Sequence, residues 1–227
     1  MNKTIFITAT DTEVGKTTVS AALAKLAKES GINVAYFKPV ETGCENKCMD
    51  AKFLSKITGQ PYEEVVLYEF KNPVAPIVAE KEENRKISIE EINNHLKKLQ
   101  QKYDFLIVEG AGGVAVPITE KGEKIYTYLD FALENRLETI LVARASLGTL
   151  NHTYLTVEAL KRRNIKIKGI ILNKYPLRDT LSEKTNPFYI KKLTNIDVIS
   201  ICKEKPDFVE ECSKKLKEFF EIFQYMV

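Results

Sequence analysis

A polar segment near the N-terminus has the residue types and spacing of a phosphate-binding site. The segment from Ala9 to Thr18 has the sequence ATDTEVGKTT, and it follows the apolar run Ile5 to Ile7. After it, Val19, Leu23 and Leu26 fall on one face of a predicted helix. The first amides of a helix lack intrahelical acceptors and its dipole adds partial positive charge, so a strand–loop–helix unit of this kind suits the phosphates of ATP.

Individual residues of this loop have chemistry suited to a nucleotide. Gly15 lets the backbone approach phosphate oxygens without a Cβ, and Lys16 brings a compact cation to the outer phosphates. Thr17 offers a hydroxyl to Mg²⁺, a hard cation that prefers oxygen ligands. The predicted nucleotide-binding residues here are Glu13, Val14, Gly15, Lys16, Thr17 and Thr18. The alternative is a chance Gly-Lys-Thr at a helix start.

The loop departs from the usual pattern G-x-x-x-x-G-K-[ST], because Thr10 stands where that pattern has Gly. It also carries Asp11, Thr12 and Glu13 where small residues are more common. We expect such side chains to face a second substrate.

A second basic residue follows the next predicted strand, Val34 to Phe37. Ligands bind at the carboxyl ends of strands in open parallel sheets, so Lys38 and Thr42 are predicted at the same edge as the phosphate loop. A solvated surface lysine is the alternative for Lys38. Pro39 restrains the backbone beside it, which favours an aimed side chain.

Two acidic residues are candidate Mg²⁺ ligands. Asp50 opens a short helix with Phe53, Leu54 and Ile57 on its apolar side, and a carboxylate there is also favourable for purely local reasons. Glu109 ends the buried strand that starts at Phe105, where phosphoryl-transfer enzymes place a metal-binding carboxylate, more usually Asp. A plain strand terminator is the alternative for Glu109.

Backbone groups and an amide complete the candidate site. Gly110, Ala111 and Gly112 follow Glu109 and could bring amides close to an anion. The helix that starts at Leu147 to Asn151 is a candidate site for a carboxylate. Asn173, after the strand Gly169 to Leu172, could pair with a base edge.

Between these motifs the sequence predicts structural segments. Asn72 to Ile77 carries two prolines and is predicted to be an extended connector, and the charged stretch Ala79 to Lys86 a surface excursion. Ser88 and Glu91 predict a capping box before a core helix. Helices are also predicted with Leu150, Tyr154, Val157 and Leu160 on one side, and near the C-terminus with Val209, Cys212, Leu216, Phe219 and Phe223.

The length predicts one α/β domain, residues 1–227, and the predicted strands and helices indicate a parallel sheet with helices on both faces. A net charge of +3 with scattered lysines gives no case for nucleic acid. No signal peptide or membrane-spanning run is expected, and four cysteines are too few for a disulfide framework, which favours the cytoplasm. Cys44 and Cys48 are predicted to be ordinary loop cysteines, with half of a zinc site as the alternative.

Four motifs together resemble those of the dethiobiotin synthetase family. They are T-x-T-D-T-E-V-G-K-T in the first loop, F-K-P-V-E-T-G after the second strand, V-E-G-A-G-G after the middle strand and L-G-T-L-N-H after the next. The resemblance implies the phosphate-loop NTPase fold and ATP-dependent closure of a urea ring. In that reaction 7,8-diaminononanoate and CO₂ form a carbamate, ATP phosphorylates it, and the second amine displaces phosphate.

The resemblance also implies residue roles. Lys16 and Lys38 would stabilise charge on the carbamate and the transferring phosphoryl group, and Thr17, Asp50 and Glu109 would hold Mg²⁺. The diamine or its carbamate would contact Thr12 and Thr42, and Asn173 would bind adenine. The family implies a homodimer in which Leu147, Gly148, Thr149, Leu150 and Asn151 bind the substrate carboxylate across the interface.

The sequence departs from the family pattern in three places. Ala9 stands where Gly is usual, which would cost about 1 kcal/mol if the position needs a positive φ. Ser146 stands where Lys is frequent, and the segment Ser200 to Cys202 lacks the usual proline-containing nucleotide loop.

Two other functions fit the same elements. Partition and septum-placement ATPases share the sheet but carry an extra lysine early in the loop, and positions 9 to 12 contain none. A small-molecule kinase would pass phosphate to a hydroxyl and need no CO₂.

Overall fold

The computed structural model describes residues 3–175, 180–203 and 208–225. The strands in this part of the chain are β1 (Lys3–Ala9), β2 (Val34–Thr42), β3 (Val66–Phe70), β4 (Phe105–Glu109), β5 (Pro117–Lys121), β6 (Lys124–Thr127), β7 (Glu138–Arg144), β8 (Ile167–Tyr175) and β9 (Val198–Lys203). The helices are α1 (Lys16–Glu29), α2 (Met49–Thr58), α3 (Tyr62–Val65), α4 (Pro76–Glu82), α5 (Ile89–Lys102), α6 (Tyr128–Glu134), α7 (Thr149–Arg162), α8 (Leu181–Thr194) and α9 (Phe208–Tyr225).

Seven strands form one sheet in the order β3-β2-β4-β1-β7-β8-β9. Every neighbouring pair in it is parallel. Because β1 pairs with both β4 and β7, the carboxyl ends of these strands lie side by side, with Ile7 opposite Glu109 and Ala9 opposite Val142. The loops that follow them therefore meet at one edge of the sheet.

Helices cover both faces of the sheet, as the sequence predicts. Ile5 and Ile7 pack on the side that contains α1, α2 and α9, whereas Phe6 packs on the opposite side with α5 and α6. A sheet buried on both faces needs apolar residues at successive positions, and β4 is buried along its whole length. The expected α/β fold is confirmed.

The hairpin β5–β6 leads into α6 through a capping box. The Thr127 hydroxyl accepts a hydrogen bond from the Asp130 amide, and the Asp130 carboxylate accepts from the Thr127 amide. Arg163 also contacts Asp130 at 3.3 Å. Burial works against the charge of Asp130, but the Thr127 hydrogen bonds and Arg163 outweigh it and lower its pKa.

Several local expectations need correction. The stretch Ala79 to Lys86 is only in part a surface segment, because α4 begins at Pro76 and buries Ala79 and Glu80, whereas residues 81–82 and 84–86 are exposed. The Glu80 carboxylate is satisfied by the Thr119 hydroxyl and the Ile87 amide. Pro76 suits the first helical position, where no intrahelical acceptor exists for an amide.

The predicted apolar faces of two helices also differ from the structure. Phe53 on α2 and Tyr154 on α7 are 42% and 39% exposed. Only half of the predicted capping box forms at α5, since Ser88 accepts from the Glu91 amide while the Glu91 carboxylate bonds the Tyr68 hydroxyl.

Strands β3, β5, β6 and β9 were not predicted from the sequence. β9 takes in Ser200 to Cys202, but the side chains of residues 199–203 and of Phe223 lie outside the described part. Among the described helices, none combines the length and the apolar character needed to cross a membrane.

Candidate active site

The phosphate loop joins β1 to α1 through two residues with positive φ. Gly15 is the N-cap of α1 with φ 92° and ψ 33°, and Glu13 has φ 53°. Left-handed backbone has little cost for Gly but about 1–2 kcal/mol for other residues, so Glu13 carries the strain of this loop. Ala9 ends β1 as an extended residue, and its replacement of Gly therefore causes no backbone strain.

Asn173, on β8, is hydrogen-bonded to the phosphate loop. Its Nδ2 donates to the carbonyls of Val14 at 2.9 Å and Gly15 at 3.4 Å. A Cβ on Gly15 would stand 1.9 Å from that nitrogen, so glycine is required by close approach as well as by φ. Asn173 Oδ1 is buried and has no partner in the described part of the chain.

Lys38 lies between two carboxylates in the middle of β2, because this strand continues past its predicted end at Phe37 as far as Thr42. Its ammonium forms an ion pair with Asp50 and lies 3.6 Å from Glu109 Oε1. Burial works against its charge, but the charges of Glu109, Asp50 and Glu41 outweigh burial and raise the pKa of Lys38. For Asp50, burial opposes ionisation but Lys38 prevails and lowers the pKa. Lys38 is therefore a buried, paired lysine and not the solvated surface lysine of the alternative.

Lys16 approaches the same group of charges from the phosphate loop. It is 7% exposed, and its Nζ lies 3.5 Å from the Asp11 carbonyl. Burial is the main cause that lowers the pKa of Lys16, the positive charge of Lys38 adds to it, and Glu109 opposes it. Two lysines, one at the start of α1 and one in the middle of β2, thus share one electrostatic environment.

Glu109 is a buried acceptor for two hydroxyls of α1. Thr17 Oγ1 donates to its Oε1 at 3.1 Å, and Ser20 donates to its Oε2 at 2.6 Å. Ser20 was not predicted from the sequence. Ser20 could have been predicted, because residues three apart on a helix share a face and Thr17 was already a candidate.

A cleft of about 680 Å³ collects most of the predicted site residues. Those that line it are Thr12, Glu13, Gly15, Lys16, Thr17, Thr18, Lys38, Thr42, Asp50, Glu109, Ala111 and Gly112. The sequence did not predict its apolar side, which is formed by Pro73, Val74, Ala75, Pro76 and Val116. The expected connector from Asn72 therefore forms part of the cleft wall.

Other predicted residues lie elsewhere. Val14 is buried and does not line the cleft, and Gly110 donates its amide to the Ile7 carbonyl, so that amide is not free for an anion. A Cβ on Gly110 would meet the Phe6 ring at 3.1 Å, which gives this glycine a packing role. The stretch 147–151, at the start of α7, does not line this cleft either.

Glu41 is a further residue that the sequence did not predict. Its two carboxylate oxygens accept from the amides of Asp50 at 2.9 Å and Ala51 at 3.1 Å. Burial raises its pKa to about 7, against the opposing charge of Lys38.

The loop before α2 contains a disulfide between Cys44 and Cys48. This corrects the expectation of two ordinary loop cysteines. Zinc binds cysteine as a thiolate, and both sulfurs are used in the disulfide. The structure therefore does not contain the alternative, half of a zinc site at Cys44 and Cys48.

Comparison with solved structures defines the class. A ParA family ATPase from Chlorobium tepidum TLS superposes with a TM-score of 0.56 at 17% identity, covering 96% of this chain and 92% of that chain. The cell division ATPase MinD of Pyrococcus furiosus gives 0.55 at 16% identity, covering 98% and 100%. The fold and the Gly15–Thr17 loop place the chain among the α/β P-loop NTPase-like proteins.

Sequence relatives narrow this class to a family. A family model described as an AAA domain matches residues 3–211. The ATP-dependent dethiobiotin synthetase BioD of Aquifex aeolicus (strain VF5) is 46% identical over 192 residues, which are 85% of each chain. The enzyme of the same name from Methanocaldococcus jannaschii is 40% identical over 218 residues, 94% of this chain and 100% of that one. The chain belongs to the dethiobiotin synthetase family.

Proposed function

We propose that the chain is an ATP-dependent cyclo-ligase that makes dethiobiotin in biotin biosynthesis. Its substrates are 7,8-diaminononanoate, CO₂ or bicarbonate, and ATP. One amine and CO₂ form a carbamate, a carbamate oxygen displaces ADP from the γ-phosphorus of ATP, and the second amine then attacks the carbonyl carbon and expels phosphate. Membership of the family supports this reaction, and so does the meeting of Lys16 and Lys38 in one cleft with the phosphate loop.

The two lysines are the proposed catalytic residues. The reaction gathers negative charge on a carbamate and on a transferring phosphoryl group, and it needs positioning and positive charge more than covalent help from the protein. Asp50 and Glu109 keep Lys38 charged despite its burial. Thr12 and Thr42 line the same cleft and are proposed to contact the diamine or its carbamate.

Mg²⁺ fits the oxygen donors around Glu109. The Thr17 hydroxyl and the Glu109 carboxylate are 3.1 Å apart, and Lys38 contacts both Glu109 and Asp50, so three oxygen donors lie close together. Hard divalent cations prefer such a set together with phosphate oxygens. Thr17, Asp50 and Glu109 would hold the ion, which would neutralise phosphate charge.

The nucleotide base is proposed to reach Asn173. The amide nitrogen of Asn173 is engaged by the phosphate loop, which leaves Oδ1 as the atom for a donor such as an adenine amino group. An unpartnered buried oxygen is costly, and a ligand donor would satisfy it.

We further propose a homodimer that brings the 147–151 helix start of one subunit to the cleft of the other. Leu147 and Leu155 belong to the α7 region and Leu181 and Phe188 to α8, and all four are largely exposed. Helices α7 and α8 contact each other, so these apolar side chains form a surface suited to a second copy. The start of α7 would then offer free amides to the substrate carboxylate.

The alternatives have less support. The ParA and MinD structures are under 20% identical and show the fold alone. A single domain and a cytoplasmic location stay predictions.

Phosphate release with and without each co-substrate tests the proposed function. ATP turnover should require both diaminononanoate and bicarbonate. Phosphate release that is independent of both additions would contradict the synthetase, and release that needs a hydroxyl acceptor but not bicarbonate would favour a kinase.

A variant pair ties the activity to the cleft. Lys38→Ala should abolish diamine-dependent turnover in the folded protein, whereas Lys52→Ala removes an exposed lysine of α2 and should leave turnover unchanged. Near-normal activity of Lys38→Ala would show that Lys38 is not a catalytic residue.

A further inference from the structure

The start of α2 is held by a side chain from another element. Its N-cap residue, Cys48, makes no side-chain capping hydrogen bond. In its place the Glu41 carboxylate, on β2, accepts from the amides of Asp50 and Ala51 at 2.9 and 3.1 Å. These are the amides that a Ser or Asp N-cap would ordinarily satisfy, and a carboxylate is also favoured by the helix dipole.

Glu41 and Lys38 bind the same residue from two positions on one strand. Lys38 pairs with the Asp50 carboxylate, while Glu41 holds the Asp50 amide. We propose that Glu41 is a positioning residue that fixes the backbone of Asp50, so that the Asp50 carboxylate meets Lys38 in the cleft. This inference rests on the proposed function for its consequence in catalysis.

The packing of α2 supports a need for such an anchor. Within this helix, all of which the structure describes, Ala51 and Leu54 are buried, whereas Met49 is largely exposed and Phe53 is 42% exposed. Glu41 itself is 6% exposed, so water cannot readily replace it as acceptor. A displacement of about 1 Å at a catalytic group can cost about a hundredfold in rate, so a small shift of α2 would matter.

The first test measures the anchor without any ligand. Amide hydrogen exchange followed by NMR should show that Glu41→Ala speeds exchange at Asp50 and Ala51 at least tenfold. Glu45→Ala removes an exposed acid from the loop between β2 and α2 and should leave these two amides unchanged. Wild-type exchange rates in Glu41→Ala would overturn the proposal, because the nearby disulfide would then suffice to hold the helix start.

The second test asks whether Glu41 acts through Asp50. Glu41→Ala should lower kcat at least tenfold with the diamine KM changed less than twofold. In an Asp50→Ala background the same substitution should change kcat less than twofold. Losses that multiply in the double variant would overturn the proposal, since a general loss of fold quality acts independently of Asp50.

Glu41→Gln keeps the shape and one accepting oxygen, so it should fall between wild type and Glu41→Ala in both measurements. It carries the test if the alanine variant does not fold, and wild-type behaviour in both measurements would then overturn the proposal. Absence of diamine-dependent turnover in the wild type would contradict the proposed function, while amide exchange would still decide whether Glu41 anchors α2.

Discussion

Removal of Lys38 should destabilise the fold because it leaves the buried Glu109 carboxylate without its paired cation. Glu109 has no exposed surface, and it lies 3.6 Å from the Lys38 ammonium. Breaking a buried pair from one side costs about 3–5 kcal/mol, because the remaining charge is left uncompensated. The Asp50 side chain is 35% exposed, so solvent screens its share and Glu109 accounts for most of the loss. We expect Lys38→Ala to lower the free energy of unfolding by about 3–5 kcal/mol near pH 8.

Urea unfolding of wild type and Lys38→Ala, in EDTA at pH 8, measures this loss.

A double variant isolates the pair. Lys38→Ala with Glu109→Gln removes both charges, so it should be more stable than Lys38→Ala alone by about 2 kcal/mol. Lys52→Ala is the control for loss of an exposed lysine. Strictly additive effects of the two substitutions, or a Lys38→Ala variant as stable as wild type at pH 8, would refute the reasoning.

Three further predictions concern the loops and one helix cap. Gly15→Ala should lower nucleotide affinity, and it should lower unfolding stability more than Gly31→Ala does. Both positions have positive φ, but only at Gly15 would the added Cβ meet another atom, Asn173 Nδ2 at 1.9 Å. Equal losses of stability in the two variants would contradict this. Replacing Cys44 and Cys48 together by Ser should lower unfolding stability by about 2 kcal/mol, since the bridge restricts a short loop of the unfolded chain; an unchanged urea midpoint would contradict it. Asp130→Ala should cost about 1 kcal/mol at pH 7, because it removes the N3 half of the capping box with Thr127. The pKa of Asp130 is lowered in the fold, so its stabilisation is present above the unfolded pKa and lost as pH falls, and the deficit of the variant should shrink by pH 3; a deficit independent of pH would argue against the charged cap.

Residues in local patterns were predictable from the sequence. The loop at Gly15 to Thr17 stands between a strand and a helix in the sequence itself, and Glu109 ends an apolar run. Since parallel strands end at one edge, these motifs and Lys38 could be placed together without coordinates.

Residues whose role depends on a distant partner were not predictable. The sequence indicates no role for Glu41, and only the fold shows that this residue of β2 caps α2. Asn173 was predicted to bind the nucleotide base, and the hydrogen bond from its nitrogen to the Val14 carbonyl depends on how β8 packs against the phosphate loop. Glu80 lies in a charged stretch that favours the surface, and its burial depends on an acceptor role toward Thr119.

The most direct measurement is the fate of labelled carbon during turnover. The wild-type chain is incubated with ATP, 7,8-diaminononanoate and ¹³C-bicarbonate, and the product is analysed by mass spectrometry alongside the phosphate released. The account predicts a cyclic urea that carries the label, formed in equal amount with ADP and phosphate. Phosphate release without labelled product, or a phosphorylated diamine free of label, would contradict it.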